Sequence, residues 1–197
     1  MSGHAALVLA GGQAQRMGGG DKPLLELAGE SLLARILSRL AVDTTNIAIS
    51  ANGEPARFAD FGRPVLGDGE FLGQGPLAGV LAGLDWAAGL AIDTLLTVPG
   101  DTPLIPAGLA GRLSPAPACA VSLERLHPLV ALWPVSIRDE LRALLARPGA
   151  RSVEKFAVSI AMRGVAFPVG DWDPFLNLND VAELKAARTL IQDRKLW

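Results

Sequence analysis

The sequence offers little material for a disulfide or a zinc cluster. It contains a single cysteine, Cys119, and only two histidines, His4 and His127, which stand far apart in the chain. One cysteine cannot form an intrachain disulfide, and structural zinc sites take several Cys or His ligands at short spacings. We therefore expect a protein of the reducing cytoplasm with no zinc site.

A surplus of basic residues and a long apolar segment are also missing. The formal net charge is −2 at pH 7, whereas a protein that neutralises many nucleic-acid phosphates usually has a basic surplus. The apolar run at residues 5–10 ends at Gly11, far short of the ~20 residues that span a bilayer, and no basic leader precedes it. These features argue against a nucleic-acid partner, a membrane anchor and an export signal.

What is present indicates one globular α/β domain. Half of the 197 residues are hydrophobic and 19% are charged, a composition typical of a folded chain, and no linker or repeat divides it. Apolar runs predict buried strands at residues 5–10, 46–50 and 94–98, and helical spacing predicts helices after Ser31 and from Pro76 to Gly89. Further strands are predicted at 120–123, 129–133 and 164–167, and further helices at 135–147, 152–160 and after Asp180. We predict a single three-layer, Rossmann-like domain over residues 1–197 with a mostly parallel sheet.

Open parallel sheets bind ligands at the carboxyl ends of their strands. The loops to consider therefore follow Ala10, Ser50, Leu66 and Val98. The first of them lacks the G-x-x-x-x-G-K-[ST] motif of P-loop proteins, and its glycines are not spaced as G-x-G-x-x-G. A P-loop GTPase and an NAD enzyme are thereby disfavoured.

This first loop, GGQAQRMGGGDKPL, places Arg16 and Lys22 among five glycines directly after a buried strand. Glycines lack the Cβ atoms that would keep a polyanion from backbone N–H groups, while a guanidinium and an ammonium supply positive charge. The loop is suited to a triphosphate, although a mobile glycine-rich turn with two solvated cations would have the same composition.

Residues 9–25, LAGGQAQRMGGGDKPLL, resemble the L-A-G-G-x-x-x-R-M-G-G-x-D-K motif of the molybdopterin guanylyltransferase family. The resemblance implies a fold of the nucleotide-diphospho-sugar transferase type. It also implies an enzyme that uses Mg²⁺ to transfer GMP from GTP to molybdopterin with release of pyrophosphate. In such an enzyme Leu9, Ala10 and Gly11 would frame the guanine and ribose, and Arg16 and Lys22 would stabilise the charge on the departing pyrophosphate.

Two later loops extend the resemblance. Asp101 follows a predicted strand within Pro99–Pro103, which resembles the family's P-x-D-x-P segment, and one aspartate is enough for Mg²⁺ when phosphates and water complete its shell. By the same resemblance Asn52 and Asp68 contact the guanine nucleotide, and GPLAG at residues 75–79 also matches the family. Without the first loop and the resemblance, all three polar residues would be better explained as ordinary turn residues.

The pterin side depends on weaker matches. The resemblance places His127, in HPLVALW, and Asn177 and Asn179, in FLNLND, near molybdopterin. Asp180 and Val181 replace the Thr-Pro of the family's N-x-N-T-P segment. Arg151 is a candidate for the pterin phosphate, but an arginine at the start of a helix is as easily explained as a surface residue.

The expected partners are GTP and molybdopterin, with cofactor-delivery proteins or molybdoenzyme chaperones as further candidates, and we expect a monomer. A molybdopterin cytidylyltransferase or a sugar-1-phosphate nucleotidyltransferase would share the first loop and the metal aspartate. Gly11 and Asp21 favour the guanylyl enzyme, since cytidylyl enzymes resemble A-A-G where this chain has A-G-G. A non-catalytic nucleotide-binding carrier of molybdopterin would use the same loops and stays a separate hypothesis.

Overall fold

The computed structural model describes residues 3–11, 22–149, 151–178, 183–184 and 187–188. Arg16 and Asn179 lie outside the described residues, as does most of the helix predicted after Asp180. Within the described residues no helix is both long and apolar enough to cross a membrane.

A seven-stranded sheet forms the centre of the molecule. Its strands are β1 (His4–Leu9), β4 (Ile47–Ser50), β5 (Val65–Leu66), β6 (Thr94–Pro99), β7 (Ala118–Ser122), β8 (Arg125–Pro134) and β9 (Arg163–Ala166). They are arranged in the order β5-β4-β1-β6-β8-β7-β9, and all neighbours are parallel except the two pairs that include β8. A separate two-stranded ribbon joins β2 (Glu26–Leu27) to β3 (Glu30–Ser31). The predicted mostly parallel sheet is confirmed.

α-Helices within the described residues connect and flank these strands. They are α1 (Leu32–Leu40), α2 (Pro76–Gly89), α3 (Leu109–Leu113), α4 (Arg138–Leu145) and α5 (Val153–Ser159), with 3₁₀ turns at Lys22–Leu24, Pro55–Phe61, Gly69–Phe71 and Val135–Ile137. Ser31 caps α1, as predicted, because its Oγ accepts a hydrogen bond from the Ala34 N–H at 3.1 Å. The helix predicted at 135–147 is shorter and follows a 3₁₀ turn, while α3 and the β2–β3 ribbon were not predicted.

The side chains of β1 show why the fold has three layers. Ala6 and Val8 pack into a core that includes residues of α1 and α3, whereas Ala5 and Leu7 pack into a second core that includes residues of α2, α4 and α5. Successive residues of a strand point to opposite faces of its sheet, so a strand covered on both faces is apolar throughout. The three-layer prediction is therefore confirmed.

Helix α2 lies unusually close to the sheet because two glycines face it. A Cβ atom on Gly79 would lie 2.5 Å from the Ser50 Oγ, and one on Gly83 would lie 2.6 Å from the Leu7 Cδ2. Only a residue without a side chain fits at such separations. The amino end of α2, at Pro76, is thereby held beside the carboxyl ends of β1 and β4.

The order of the strands creates a crevice at the carboxyl end of β1. The chain passes from β1 to β4 and β5 on one side, and then returns to place β6 on the other side of β1. Ligands of open α/β sheets bind at such a switch point. The loops after β1, β4, β5 and β6 all open at this edge.

Candidate active site

A cavity of about 780 Å³ occupies the crevice at the carboxyl edge of the sheet. The carboxyl ends of β1, β4 and β6 and the loops that follow β1, β4, β5 and β6 supply most of its walls, and the amino end of α2 and Leu129 of β8 supply the rest. The lining residues are Leu9, Gly11, Lys22, Pro23, Ser50, Asn52, Gly53, Arg57, Asp68, Leu72, Gly73, Gly75, Pro76, Gly79, Pro99, Gly100, Asp101 and Leu129. The volume is in the range of small-molecule and cofactor sites.

Lys22 and Asp101 form an ion pair in the wall of this cavity. The Lys22 Nζ donates to the Asp101 Oδ2 at 2.7 Å, and the two side chains are 11% and 22% exposed. Lys22 begins a 3₁₀ turn after the glycine-rich loop, and Asp101 lies two residues beyond β6. The structure therefore brings together two of the three residues that the sequence assigned to catalysis.

A tight backbone contact holds these two loops together. The Gly100 N–H donates to the Leu9 carbonyl at 2.9 Å, and a Cβ on Gly100 would lie 2.8 Å from the Pro23 Cγ. Pro23 is the neighbour of Lys22, and Gly100 is the neighbour of Asp101. The close approach at glycine therefore sets the position of the ammonium relative to the carboxylate.

The Asp101 carboxylate is suited to a cation that takes few protein ligands. Among the described residues no three His, Cys, Asp or Glu side chains cluster as a metal site would require. A divalent cation held at Asp101 would then depend on water and on substrate phosphates for its remaining ligands. That donor set fits a nucleotide-dependent site rather than a structural metal.

Asn52 and Asp68 face each other in the same cavity and form two hydrogen bonds. The Asn52 Nδ2 donates to the Asp68 Oδ2 at 2.6 Å, and the Asp68 N–H donates to the Asn52 Oδ1 at 2.9 Å. The Arg57 Nη2 donates to the Asn52 carbonyl at 2.6 Å. These bonds fix the Asp68 carboxylate, which is an acceptor, in the cavity wall.

The three residues at the end of the first strand have different surroundings. Leu9 and Gly11 line the cavity. Ala10 is fully buried in the core, and its N–H donates to the Ser50 carbonyl at 2.8 Å. Its side chain therefore packs inside the protein and does not line the cavity.

A second, smaller cavity of about 210 Å³ adjoins the first. Pro99 and Leu129 line both cavities. The remaining residues around the second are Arg125, Leu126, His127, Pro128, Val130, Val153, Glu154 and Asn177. The structure thus brings together two of the residues that the sequence assigned to the pterin, and places them beside the first cavity.

His127 is held in a half-buried position by β7 and by the C-terminal segment. Its Nε2 lies 2.7 Å from the Ser122 Oγ, and its ring lies 5.1 Å from the Phe175 ring. Burial lowers the pKa of His127, Arg125 lowers it further, and Asp173 opposes the shift. The imidazole is therefore neutral at pH 7.

Arg151 lines neither of these cavities and lies in a separate pocket with Arg142 and Arg147. Its guanidinium donates to the Leu145 carbonyl at 2.8 Å and to the Gly149 carbonyl at 2.6 Å, and it also contacts the Arg147 carbonyl. These carbonyls lie at or just beyond the carboxyl end of α4, where a cation satisfies acceptors that the helix leaves open. Contact of Arg151 with the pterin phosphate stays a prediction.

Sequence reasoning missed several residues of the site, including three polar ones. Ser50 and Arg57 line the first cavity, and Thr102 is fully buried behind Asp101. Arg57 lies on a 3₁₀ turn that Pro55 begins, and proline was the available signal for that turn. No pattern in the sequence pointed to Thr102.

A profile of the MobA-like NTP transferase domain matches residues 6–160, well over half of the chain. A relative named molybdenum cofactor guanylyltransferase, from Acidiphilium cryptum, is 51% identical over 182 residues, which are 92% of each chain. The chain belongs to the molybdenum cofactor guanylyltransferase family. The family that the first loop indicated is thereby confirmed, and the chain is a nucleotidyltransferase whose family suggests a requirement for a divalent metal.

Two solved structures confirm the fold. Molybdopterin-guanine dinucleotide biosynthesis protein A from Archaeoglobus fulgidus has a TM-score of 0.73 at 19% identity, with 96% of this chain and 99% of that chain covered. 2-C-methyl-D-erythritol 4-phosphate cytidylyltransferase from Thermus thermophilus has a TM-score of 0.67 at 16% identity, with 95% and 98% covered. Since proteins with these two different names share the fold, the fold alone does not select the nucleotide.

Proposed function

We propose that this protein transfers GMP from GTP to molybdopterin, forming the guanine dinucleotide form of the molybdenum cofactor and releasing pyrophosphate. The Lys22–Asp101 ion pair in the wall of a nucleotide-sized cavity is the observation that carries the proposal. The 51% identity to a molybdenum cofactor guanylyltransferase supports it. The ion pair lies in the cavity that we assign to the nucleotide.

Asp68 is the residue we propose for recognition of guanine. A carboxylate accepts hydrogen bonds from guanine N1 and N2, which are donors in guanine and not in adenine or cytosine. Asn52 uses one amide N–H and its oxygen to hold Asp68. Leu9 and Gly11, with the backbone of Ala10, would then frame the base and ribose.

The transfer of GMP requires that the two substrates are correctly positioned and that positive charge stabilises the phosphates. An oxygen of the molybdopterin phosphate attacks the α-phosphorus of GTP, and the bond from that phosphorus to the pyrophosphate oxygen breaks. Lys22 and Arg16 stabilise the negative charge that gathers on the pyrophosphate. Asp101 would hold Mg²⁺, which supplies positive charge to the phosphates and helps to orient them.

We propose that the second cavity receives the pterin end of the acceptor. His127 and Asn177 line it, and Asn179 follows Asn177 by two residues. The neutral imidazole and the amide can donate and accept hydrogen bonds, as a pterin ring requires. Because the two cavities share Pro99 and Leu129, an acceptor phosphate at their border would lie close to the nucleotide.

The cellular setting is also proposed. A cytoplasmic location agrees with the single cysteine, whose side chain is buried. We further propose that the protein acts as a monomer and passes its product to a cofactor-delivery protein or molybdoenzyme chaperone. Gel filtration coupled to light scattering measures the molar mass in solution and so tests whether the protein is a monomer.

The decisive experiment compares nucleotides. The purified protein is incubated with Mg²⁺, molybdopterin and GTP, CTP or ATP in turn, and pyrophosphate release is measured. We expect release with GTP and formation of the guanine dinucleotide. A preference for CTP would overturn the guanylyl assignment, and GTP binding without pyrophosphate release under any condition would favour the carrier hypothesis.

A matched pair of variants tests the role of Asp101. Asp101→Asn and Asp93→Asn make the same chemical change at opposite ends of β6, and Asp93 is exposed. We expect Asp101→Asn to lose activity by at least ~10²-fold, as the loss of a preorganised charge does, and Asp93→Asn to keep it. Equal activity in the two variants would remove Asp101 from the reaction.

A further inference from the structure

A buried hydroxyl joins the two cavities. Thr102 follows Asp101, is fully buried, and donates from Oγ1 to the Asn177 Oδ1 at 3.0 Å. The same Oγ1 lies 3.4 Å from the Asp101 Oδ1. Next to it, the Leu178 N–H donates to the Asp101 carbonyl at 2.9 Å. The C-terminal segment is therefore bonded to the Asp101 loop through both side chain and backbone.

The hydroxyl has one hydrogen and two neighbouring acceptors. An O–H···O bond is strongest near 2.7–2.8 Å and weakens at longer separations, so Asn177, at 3.0 Å, is the better acceptor and Asp101, at 3.4 Å, the poorer one. A buried hydroxyl that lost its acceptor would cost free energy. Thr102 therefore donates its hydrogen bond to Asn177 in preference to Asp101.

This bond also determines how Asn177 is oriented. When the amide oxygen accepts from Thr102, the amide nitrogen is turned to the other side of the group as a donor. Asn177 lines the second cavity and Asp101 lines the first. Thr102 is fully buried, so any effect it has on a ligand passes through these two neighbours.

We propose that Thr102 is a positioning residue, which holds the Asn177 amide in the orientation that binds the acceptor and fixes it relative to Asp101. The proposal rests on the role assigned above to the second cavity. It predicts that loss of the hydroxyl weakens acceptor binding much more than GTP binding, because the shorter bond of Thr102, at 3.0 Å, goes to Asn177, and its longer contact, at 3.4 Å, goes to Asp101.

The test compares Thr102→Val, which has nearly the same shape but no hydroxyl, with Thr102→Ser, which keeps it. We expect Thr102→Val to raise the KM and the dissociation constant for molybdopterin about 3- to 10-fold, the effect of one neutral hydrogen bond. The KM for GTP should stay within about twofold, and Thr102→Ser should restore acceptor binding. If Thr102→Val does not fold, Thr102→Ala removes the same hydroxyl without adding a methyl group near Asp101.

A double-mutant cycle with Asn177→Ala shows whether Thr102 acts through that amide. We expect Asn177→Ala alone to weaken molybdopterin binding, and Thr102→Val to have no further effect in that background. The proposal is overturned if the Thr102→Val effect persists without the amide, if GTP binding falls equally, or if neither variant changes acceptor binding. Titration calorimetry with molybdopterin gives these constants without turnover, so absence of pyrophosphate release in the unaltered protein would count against the proposed function alone.

Discussion

Replacing Gly100 with alanine should separate Lys22 from Asp101 without removing either side chain. A Cβ at this position would lie 2.8 Å from the Pro23 Cγ, 3.3 Å from the Pro23 Cβ and 3.2 Å from the Leu9 carbonyl oxygen. The proline ring is rigid and the carbonyl belongs to the backbone of a central strand. Neither can move aside as a flexible side chain would.

The size of the effect follows from these contacts. To reach ordinary contact distance Pro23 would have to move by roughly 0.6 Å, and overpacking of this kind costs about 1–3 kcal/mol. Alanine restricts the unfolded chain and returns about 0.4–1 kcal/mol, which leaves a net loss of up to about 2.6 kcal/mol in the free energy of unfolding. Since a misplacement of ~1 Å at a reacting centre costs ~10²-fold, we expect kcat to fall between about 10- and 10²-fold.

Urea unfolding and steady-state pyrophosphate release measure the two effects, and two other glycines provide controls. Gly83→Ala would also overpack the core, 2.6 Å from the Leu7 Cδ2, but it does not line the cavity, so it should lose stability and keep kcat. Gly111 lies in α3 and has no neighbouring atom within 4 Å of its Cβ position, so Gly111→Ala should keep kcat and raise the free energy of unfolding by about 0.4–1 kcal/mol. If Gly100→Ala has the kcat of the unaltered protein, the Pro23 contact does not position Lys22.

Three further predictions concern single side chains. Lys22→Ala should lower kcat by about 10²-fold or more, because one preorganised positive charge is lost, and unchanged turnover would remove Lys22 from the mechanism. Asp68→Asn should weaken GTP binding by roughly 10- to 10²-fold, the effect of losing hydrogen bonds to a charged acceptor. A competition titration of GTP against CTP and ATP measures this loss. Unchanged GTP binding would mean that other residues recognise guanine. The pKa of His127 is lowered in the folded protein, so on acidification the unfolded chain takes up a proton at this residue before the folded protein does. The contribution of His127 to stability is therefore fully present above the unfolded pKa of about 6.5. It is lost as the pH falls through the lower folded pKa. Between pH 7.5 and 5, the free energy of unfolding measured in urea should therefore fall less for His127→Gln than for the unaltered protein. An equal fall in the two proteins would contradict the lowered pKa of His127.

The nucleotide half of the site could be predicted because it depends on features that are local in sequence. Apolar runs located β1, β4 and β6, and the polar residues that follow them had to meet wherever parallel strands end together. Lys22 and Asp101 are far apart in the chain, yet the parallel pairing of β1 with β6 brings their loops to one edge. The parallel topology is therefore the reason that the proximity of Lys22 and Asp101 could be predicted from the sequence.

The antiparallel half of the sheet could not be predicted in the same way. Periodicity indicates a strand but not its direction, and the turn between β7 and β8 lacks the usual hairpin residues. Its central residues, Leu123 and Glu124, both have positive φ, at 47° and 59°, where Asn-Gly or Asp-Gly is the typical signal. The reversal of β8, which brings His127 into the second cavity, therefore had no local marker.

Thr102 could not be found from the sequence because its bond joins the parallel half of the sheet to the segment that lies beyond the antiparallel half. The same bond is the reason for its proposed role. The bond from Thr102 to Asn177 spans 75 positions in the chain, and it connects a loop of the parallel half to the segment that follows the last strand. No hydrophobic period or turn rule relates two such positions. A nucleotidyltransferase must nevertheless hold its two substrates in one fixed geometry, because the attacking oxygen and the α-phosphorus come from different molecules. If Thr102 has the role proposed above, the bond from Thr102 to Asn177 helps to set the distance between the attacking oxygen and the α-phosphorus.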